Sequence, residues 1–371
     1  MHRSHRISPW TLSFSLLLVS VLCVTCSEVI DLETENDAGQ LVIFGGLTNG
    51  TFGNEITISR ATIVGQQPGR LRGARVTVTD GDGLTGQYFE RLDGTYKLDS
   101  TYVAVPGQSY SLRVEMPTGE VYESLAETMP TISARDTLNY ELQEIEEVSD
   151  QGVTTIRYVI TIYADTEIFD PRPDLFIKWN VEEVYSFEQA VLPGHNFPWY
   201  IRYTCYIANE LEQQRVMLYD GSSLRAEIIT GQRITDRTID DDFRGVHYFN
   251  LIQQSLTSSG HEFWSALDQN VNRVGSIFDQ PPGALPNNLY NVNDPEEEVL
   301  GFFQVSANDT AHIRITNRIV DQFFSEPCPW KPGVDFVSFM CYFCLEPFYS
   351  PECIDCLTIP NSTHNRPSYF D

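Results

Sequence analysis

The stretch Val76-Thr-Val-Thr-Asp-Gly-Asp-Gly83 decides the fold class of this chain. Its valines and threonines alternate, which places one set on the buried face of a β-strand and the other set toward solvent. The run Asp80-Gly-Asp-Gly83 supplies turn residues, and a second alternating segment runs from Tyr110 to Met116. Alternation of period two, with turn residues every ~8–12 positions, predicts an antiparallel β-sandwich of immunoglobulin-like type.

Working outward, we place this sandwich at residues 38–130 and a larger β-rich domain at residues 131–371. The second domain contains alternating runs such as Ile156 to Ile162, Leu175 to Val181 and Trp199 to Cys205, and the last of these predicts a buried Cys205. The chain is therefore predicted to be mainly β.

One helix is predicted within the second domain, at residues 260–274. Ser259 and Glu262 have the spacing of a capping box, which satisfies the free N–H groups at a helix start. An apolar stripe follows at helical spacing, and we expect it to pack on the sheet of the second domain. The stripe consists of Phe263, Leu267, Val271 and Val274.

The N-terminus has the pattern of an export signal. Arg3 and Arg6 precede an apolar run from Leu12 to Val24, which is shorter than the ~20 residues that span a bilayer. Cys26 follows directly, in the position of the lipid-bearing cysteine of bacterial lipoproteins. We predict a signal peptide at residues 1–25, acylation of Cys26 and an acidic tether at residues 26–37. Acylation of Cys23 and an ordinary cleaved signal are the alternatives.

The charge balance excludes one class of partner. The chain carries a formal net charge of −27 at pH 7. A surface this acidic repels the phosphates of nucleic acid and anionic lipid head groups. We therefore expect no nucleic-acid partner and a membrane association that depends on the lipid alone.

Cysteine usage agrees with an oxidising compartment. An even number of cysteines remains after the signal region, which predicts up to three disulfides and a stapled tail at residues 328–371. A zinc site or a redox-active pair is the alternative for the two CxxC units. The disulfide candidates are Cys205, Cys328, Cys341, Cys344, Cys353 and Cys356.

The sequence supplies no catalytic set. His261-Glu-Phe-Trp-Ser265 starts like a zinc protease motif but lacks the second histidine, and Asp80-Gly-Asp-Gly83 lacks the later ligands of a calcium loop. The acidic runs Asp240-Asp-Asp242 and Glu296-Glu-Glu298 are typical of solvated loops. We assign no catalytic residue, metal or cofactor. The remaining histidines are scattered, at His195, His247, His312 and His364.

Three groups of segments resemble the domain-of-unknown-function 4249 family of Bacteroidota lipoproteins. Cys26-Ser-Glu-Val-Ile-Asp-Leu32 precedes Leu41-Val-Ile-Phe-Gly-Gly-Leu-Thr48 near the N-terminus. Gly275-Ser-Ile-Phe-Asp-Gln-Pro-Pro282 precedes Val299-Leu-Gly-Phe-Phe-Gln-Val-Ser306, and Cys353-Ile-Asp-Cys356 precedes Asn365-Arg-Pro-Ser-Tyr-Phe370. The resemblance implies an outer-membrane lipoprotein, often associated with a TonB-dependent transporter, and no established catalytic activity.

The functional expectation follows from these features together. We expect a lipid-anchored accessory or ligand-binding protein of the outer membrane that works with a TonB-dependent transporter and is not an enzyme. An extracellular hydrolase with a spatially assembled site and a purely structural surface protein are the alternatives. A deep pocket with a carboxylate pair would favour the hydrolase. The sequence does not identify the ligand.

Overall fold

The computed structural model describes residues 39–370 except 51, 63–67, 93, 149–151, 153, 191, 194–199, 202, 212, 214, 224–225, 272–283, 321–323 and 329–349. The signal, Cys23, Cys26, the tether, His195, Cys341 and Cys344 lie outside the described residues. Among the described helices, none has the length and apolar content needed to cross a membrane.

Short strands form the first third of the chain, in agreement with the predicted alternation. Val76 and Val78 are fully buried, as are Ile56, Ile58 and Val114. The strands are β1 Leu41–Thr48, β2 Glu55–Arg60, β3 Arg75–Asp80, β4 Thr85–Glu90, β5 Thr95–Leu98, β6 Ser109–Glu115, β7 Val121–Ser124 and β8 Glu127–Thr128.

The remaining two thirds contain longer strands and the main helix. The elements are β9 Ala134–Val148, β10 Thr154–Ile168, β11 Phe176–Glu188, β12 Leu192–Pro193, β13 Tyr200–Ile201, β14 Thr204–Glu210, β15 Met217–Asp220, β16 Ile228–Thr238, β17 His247–Leu256, α1 Ser258–Val271, β18 Leu289–Asn291, β19 Leu300–Ile315, α2 Pro351–Ile354 and β20 Ser362–Thr363. Short 3-10 helices lie at Asp241–Arg244, Asn317–Ile319 and Cys356–Thr358. The chain is mainly β, as predicted.

Most strands join a single large sheet that crosses the predicted domain boundary. Its order is β18-β7-β6-β3-β4-β5-β2-β1-β19-β17-β11-β14-β20, with β8 beside β6 and β15 beside β11. β16, β10 and β9 form a second sheet, and β12 pairs with β13. The division at residue 130 stays a prediction, and β18 and β19 of the second part supply Leu289, Phe303 and Val305 to the first hydrophobic core. The immunoglobulin-like topology stays a prediction.

The connection between the two parts is the parallel pairing of β1 with β19. Ile43 lies opposite Gly301, whose φ is +108°. A Cβ at residue 301 would lie 1.9 Å from the Ile43 carbonyl oxygen, so only glycine allows the two strands to approach this closely. Glycine is also required at residue 45, where a Cβ would lie 2.0 Å from the Glu55 carbonyl oxygen of the neighbouring strand β2.

The second core lies between the three-stranded sheet and the β11–β17 part of the large sheet. It contains Ile160, Trp179 and Phe249 among other fully buried side chains. One carboxylate is enclosed with them: Asp136 Oδ2 accepts hydrogen bonds from Trp179 Nε1 at 3.0 Å and from Gln253 Nε2 at 2.8 Å. Burial raises the pKa of Asp136, and these hydrogen bonds oppose that shift.

Helix α1 confirms the prediction of one main helix but corrects its start and the packing of Val271. It starts earlier than predicted because Thr257 Oγ1, not Ser259, accepts the hydrogen bond from Gly260 N, at 3.1 Å. Phe263 is buried, whereas Val271 is 70% exposed, so the distal part of the stripe does not pack. Residues 272–274 lie outside the described part of the chain.

The C-terminal tail contains disulfide-bonded cysteines, as predicted, and one of the two bonds links it to the large sheet. Cys205 of β14 bonds Cys356, and Cys328 bonds Cys353. Cys353 and Cys356 belong to one CxxC unit but pair with different partners. Their sulfur atoms therefore do not act as thiolate ligands, although Cys356, Cys205 and His364 lie close together.

Candidate functional site

The large sheet has a polar face on β11, β17 and β19. On β11, Trp179 and Val181 point into the second core, so the alternate residues Lys178, Asn180 and Glu182 point to the opposite face. β17 and β19 follow the same alternation. The polar face contains Lys178, Asn180, Glu182, Asn250, Gln254, Gln304, Thr310 and His312.

Strand register arranges these side chains into rows across the sheet. Glu182 lies opposite Glu210 on one side and Asn250 on the other, and Asn250 lies opposite His312. Asn250 Nδ2 donates to Glu182 Oε2 at 2.9 Å, and Asn250 Oδ1 lies 2.8 Å from His312 Nδ1. A second row joins Lys178, Gln254 and Asn308. Side chains opposite one another in register contact directly, so each row is a continuous polar strip.

Two walls turn this face into a cleft of about 1120 Å³. Helix α1 forms one wall, where Trp264 Nε1 donates to Gln304 Oε1 at 2.6 Å. The tail forms the other, where the Tyr369 hydroxyl accepts from Asn250 Nδ2 at 2.8 Å and its ring stacks on His312 at 4.1 Å. The cleft therefore has a polar floor and aromatic walls.

Lys178 is the unusual charge of the cleft, because its side chain is only 5% exposed. Its Nζ donates to Asn180 Oδ1 at 2.6 Å and to Gln254 Oε1 at 3.0 Å, and it lies 4.1 Å from the centre of the Trp264 ring. Among the described residues, no carboxylate lies within ion-pair distance of it. Burial lowers the pKa of Lys178 to about 8, although the nearby charge of Glu210 opposes the shift.

Glu182 is a half-buried carboxyl with a shifted pKa. Burial raises the pKa of Glu182, the hydrogen bond from Asn250 lowers it, and the charge of Glu210 raises it further. The cleft therefore holds an enclosed cation on one row and two facing carboxyls on another. Such convergent polar groups on a concave surface are typical of a binding site for a small polar molecule.

A second charged cluster lies on the other face of β11 and is structural. Arg237 contacts Glu183, Asp240 and Asp242 at 2.7–2.9 Å, which assigns a role to the acidic run Asp240–Asp242. His247 is fully buried and stacks on Phe243 at 3.9 Å. Its Nε2 lies 3.3 Å from Glu183 Oε2, without hydrogen-bond geometry at either ring nitrogen.

The other sequence motifs also have structural roles. Asp80 Oδ1 accepts from the backbone N–H groups of Asp82 and Leu84, which confirms a hairpin turn. His261 stacks on Phe176 at 4.3 Å, and Glu297 accepts from Asn291 and Tyr122. Among the scattered histidines that the structure describes, His312 alone lines the cleft.

Sequence reasoning missed the cleft. The signal was present in Lys178-Trp-Asn-Val-Glu182, where the residues between core positions are all polar or charged. When one face of a strand is apolar and packs on a core, and the other face is polar but also buried, the polar face is expected to line a cleft. Its alternation by itself predicts only a strand.

The fold and the cleft together define a mainly β protein with internal disulfides and a polar cleft on a large mixed sheet. Residues 27–312 match the family described as Domain of unknown function (DUF4249), and the protein belongs to that family. The match confirms the resemblance found in the sequence. No curated protein matches the chain significantly.

Proposed function

We propose that this protein is a lipid-anchored outer-membrane protein that binds a small polar ligand in the cleft and works beside a TonB-dependent transporter. The observation that carries the ligand-binding role is the enclosed polar face of β11, β17 and β19. Enclosing Lys178, Asn250 and Gln254, each at most 5% exposed, costs free energy that a purely structural sheet avoids with apolar residues. A ligand that uses these groups gives them a function.

A plugged cleft tests the ligand-binding role. Thr310 is exposed on the cleft floor, so Thr310→Trp fills the space without disturbing a core. We expect a polar small molecule that raises the melting temperature of the wild type to have no effect on Thr310→Trp. Thr137→Trp, an exposed position on β9, is the matched control and keeps the response. If every ligand found acts equally on both variants, the cleft is not the site.

The membrane anchor is the second part of the proposal. Its support is the position of Cys26 after the apolar run and the family membership. Two acyl chains give stable anchoring where a single chain gives only marginal binding. We expect Cys26→Ala to move the protein from the membrane fraction to the soluble fraction, whereas Cys23→Ala leaves it membrane-bound. The reverse result would assign the lipid to Cys23.

The transporter partner rests on the family resemblance alone. Co-purification of the tagged, lipidated protein from outer membranes tests it, with the Cys26→Ala variant as the control. A transporter recovered only with the lipidated form supports the accessory role. Recovery of the protein without any transporter favours the structural alternative.

One observation favours the alternative function as a hydrolase. Glu182 and Glu210 lie opposite one another, and residues in register have Cβ atoms ~5 Å apart. Two facing carboxyls of which one has a raised pKa are the arrangement that glycoside hydrolysis uses. Release of sugar from oligosaccharides by the wild type, and its loss in Glu210→Gln, would establish this alternative. We favour binding because Asn250 and Tyr369 already engage this row.

A further inference from the structure

The cleft presents opposite charges at two fixed places. Lys178 provides an enclosed positive charge, and no carboxylate of the described chain neutralises it by direct contact. Lys97, at the rim, already pairs with Glu55 at 3.0 Å. Arg215 also lines the cleft but is exposed to solvent, so among the described residues Lys178 is the enclosed cation that remains available to an anionic group.

The negative charge lies on the neighbouring row. Glu182 and Glu210 face each other across β11 and β14, and like charges in register destabilise a sheet. Among the described residues, no lysine or arginine lies within ion-pair distance of either carboxylate. A cationic group bound between them would relieve this repulsion.

The spacing of the two charges sets the size of the ligand. Lys178 and Glu182 are four residues apart on one face of β11. The Lys178 side chain extends along the strand toward Glu182, and its ammonium contacts Asn180, which lies midway between the two residues. The two charges are thus separated by about two strand residues, or ~7 Å. An extended peptide spans ~3.3–3.6 Å per residue, so the termini of a peptide of two or three residues match this separation.

The floor between the charges suits a peptide. The amide oxygens of Asn180 and Gln254 accept from Lys178, but their NH₂ groups carry further donors for peptide C=O groups, and the Thr310 hydroxyl can pair with either peptide group. The rings of Trp264 and Tyr369 form apolar walls on either side for ligand side chains. A neutral sugar would use the amides and the rings but would leave the charges unpaired.

Resting on the proposed ligand-binding role, we propose that the cleft binds short zwitterionic peptides. The peptide carboxylate pairs with Lys178, and the peptide ammonium lies between Glu182 and Glu210. No covalent step is involved. The ligand keeps both termini free, because each terminus has its own partner in the cleft.

The test uses the full mature chain and peptides with blocked termini. A library of unmodified di- and tripeptides is screened by thermal shift, and the best binder is remade in N-acetylated and C-amidated forms for calorimetry. We expect each block to weaken binding by about tenfold or more, because it leaves one charged partner unpaired. Equal binding of blocked and free peptides, or no binding of any peptide, would overturn the proposal.

Paired variants assign each terminus to its partner. Lys178→Met is expected to bind free and C-amidated peptide equally while still discriminating against the N-acetylated form. Glu182→Gln is expected to show the opposite pattern, and Gln can still accept the hydrogen bond from Asn250. Lys97→Met is the matched control and retains both preferences. A pattern in which Lys178→Met loses discrimination at the N-terminus instead contradicts the orientation and with it the proposal.

Failure of the peptide proposal is distinguishable from failure of the ligand-binding role. Neutral oligosaccharides and Ca²⁺ are screened in parallel against the wild type and Thr310→Trp. If an oligosaccharide binds only the wild type, or Ca²⁺ binds and requires Glu182 and Glu210, the cleft is a binding site but the peptide proposal is wrong. If no compound distinguishes the wild type from Thr310→Trp, both proposals fail.

Discussion

Replacing Cys205 and Cys356 together by alanine is expected to lower the free energy of unfolding by about 4–5 kcal/mol. The bond joins residues separated by 151 positions, and a cross-link that closes so long a loop restricts the unfolded chain most. Alanine at both positions leaves no unpaired thiol at either end of this bond. Urea denaturation under oxidising conditions measures the change.

The Cys328–Cys353 bond provides the matched control. It closes a separation of only 25 residues, so its loss is expected to cost about 3 kcal/mol on the same reasoning. An equal or larger loss from this pair would show that native packing, not loop closure, sets the contribution of the disulfides.

The Cys205–Cys356 bond also holds one wall of the cleft. It ties the tail to β14, and β20 pairs with β14 further along the tail. Phe370 then packs on Tyr248 at 4.8 Å, and Tyr369 reaches Asn250. Loss of the bond is therefore expected to weaken ligand binding even at temperatures where the chain stays folded.

The local features of the fold were predictable because they depend on neighbouring residues. Alternation identified buried strand residues such as Val76 and Val114, and helical spacing identified Phe263 as a packing residue. The exposed Val271 was not separable from Phe263 by spacing alone, since the sheet beneath the helix determines how far the contact extends. Capping by Thr257 in place of Ser259 is a difference of two residues, which pattern reasoning does not resolve.

The long-range features were not predictable from local patterns. The parallel pairing of β1 with β19 joins segments more than 250 residues apart in sequence, and it merges the two predicted domains into one sheet. Both segments belong to the stretches that resemble the family. Their glycines, Gly45 and Gly301, are explained only when the strands are placed together, because each allows a close backbone approach.

The cleft was also not predictable from local sequence patterns. Lys178, Asn250 and His312 belong to three strands, and only register brings them onto one floor. In a sequence, a polar residue between two core positions of a strand is predicted to face solvent. It becomes a site residue when a helix and a tail enclose that face.

Replacing Lys178 by methionine is expected to stabilise the protein at pH 7 while removing its proposed ligand contact. The folded-state pKa of about 8 lies below the ordinary lysine pKa of 10.5, so below pH 8 the folded chain carries the full cost of keeping this ammonium charged and enclosed. That difference corresponds to ~3 kcal/mol. Because hydrogen bonds and the Trp264 contact are also lost, we expect a net gain of about 1–3 kcal/mol.

The pH dependence identifies the cause of this gain. Between pH 8 and pH 10.5 the unfolded chain holds more protons on Lys178 than the folded chain, so wild-type stability rises with pH relative to Lys178→Met. The advantage of the variant is therefore expected to shrink across that window. The charge of Glu210 opposes the lowering of the Lys178 pKa, and titrations common to both proteins cancel in the comparison. Lys97→Met, at an ion-paired rim position, is expected to shift stability by less than ~0.5 kcal/mol at every pH.

If Lys178→Met were destabilised at pH 7, or its advantage were constant with pH, the enclosed lysine would be a structural group. A residue that lowers stability and is nonetheless present on the floor of a cleft is the pattern expected of a binding group.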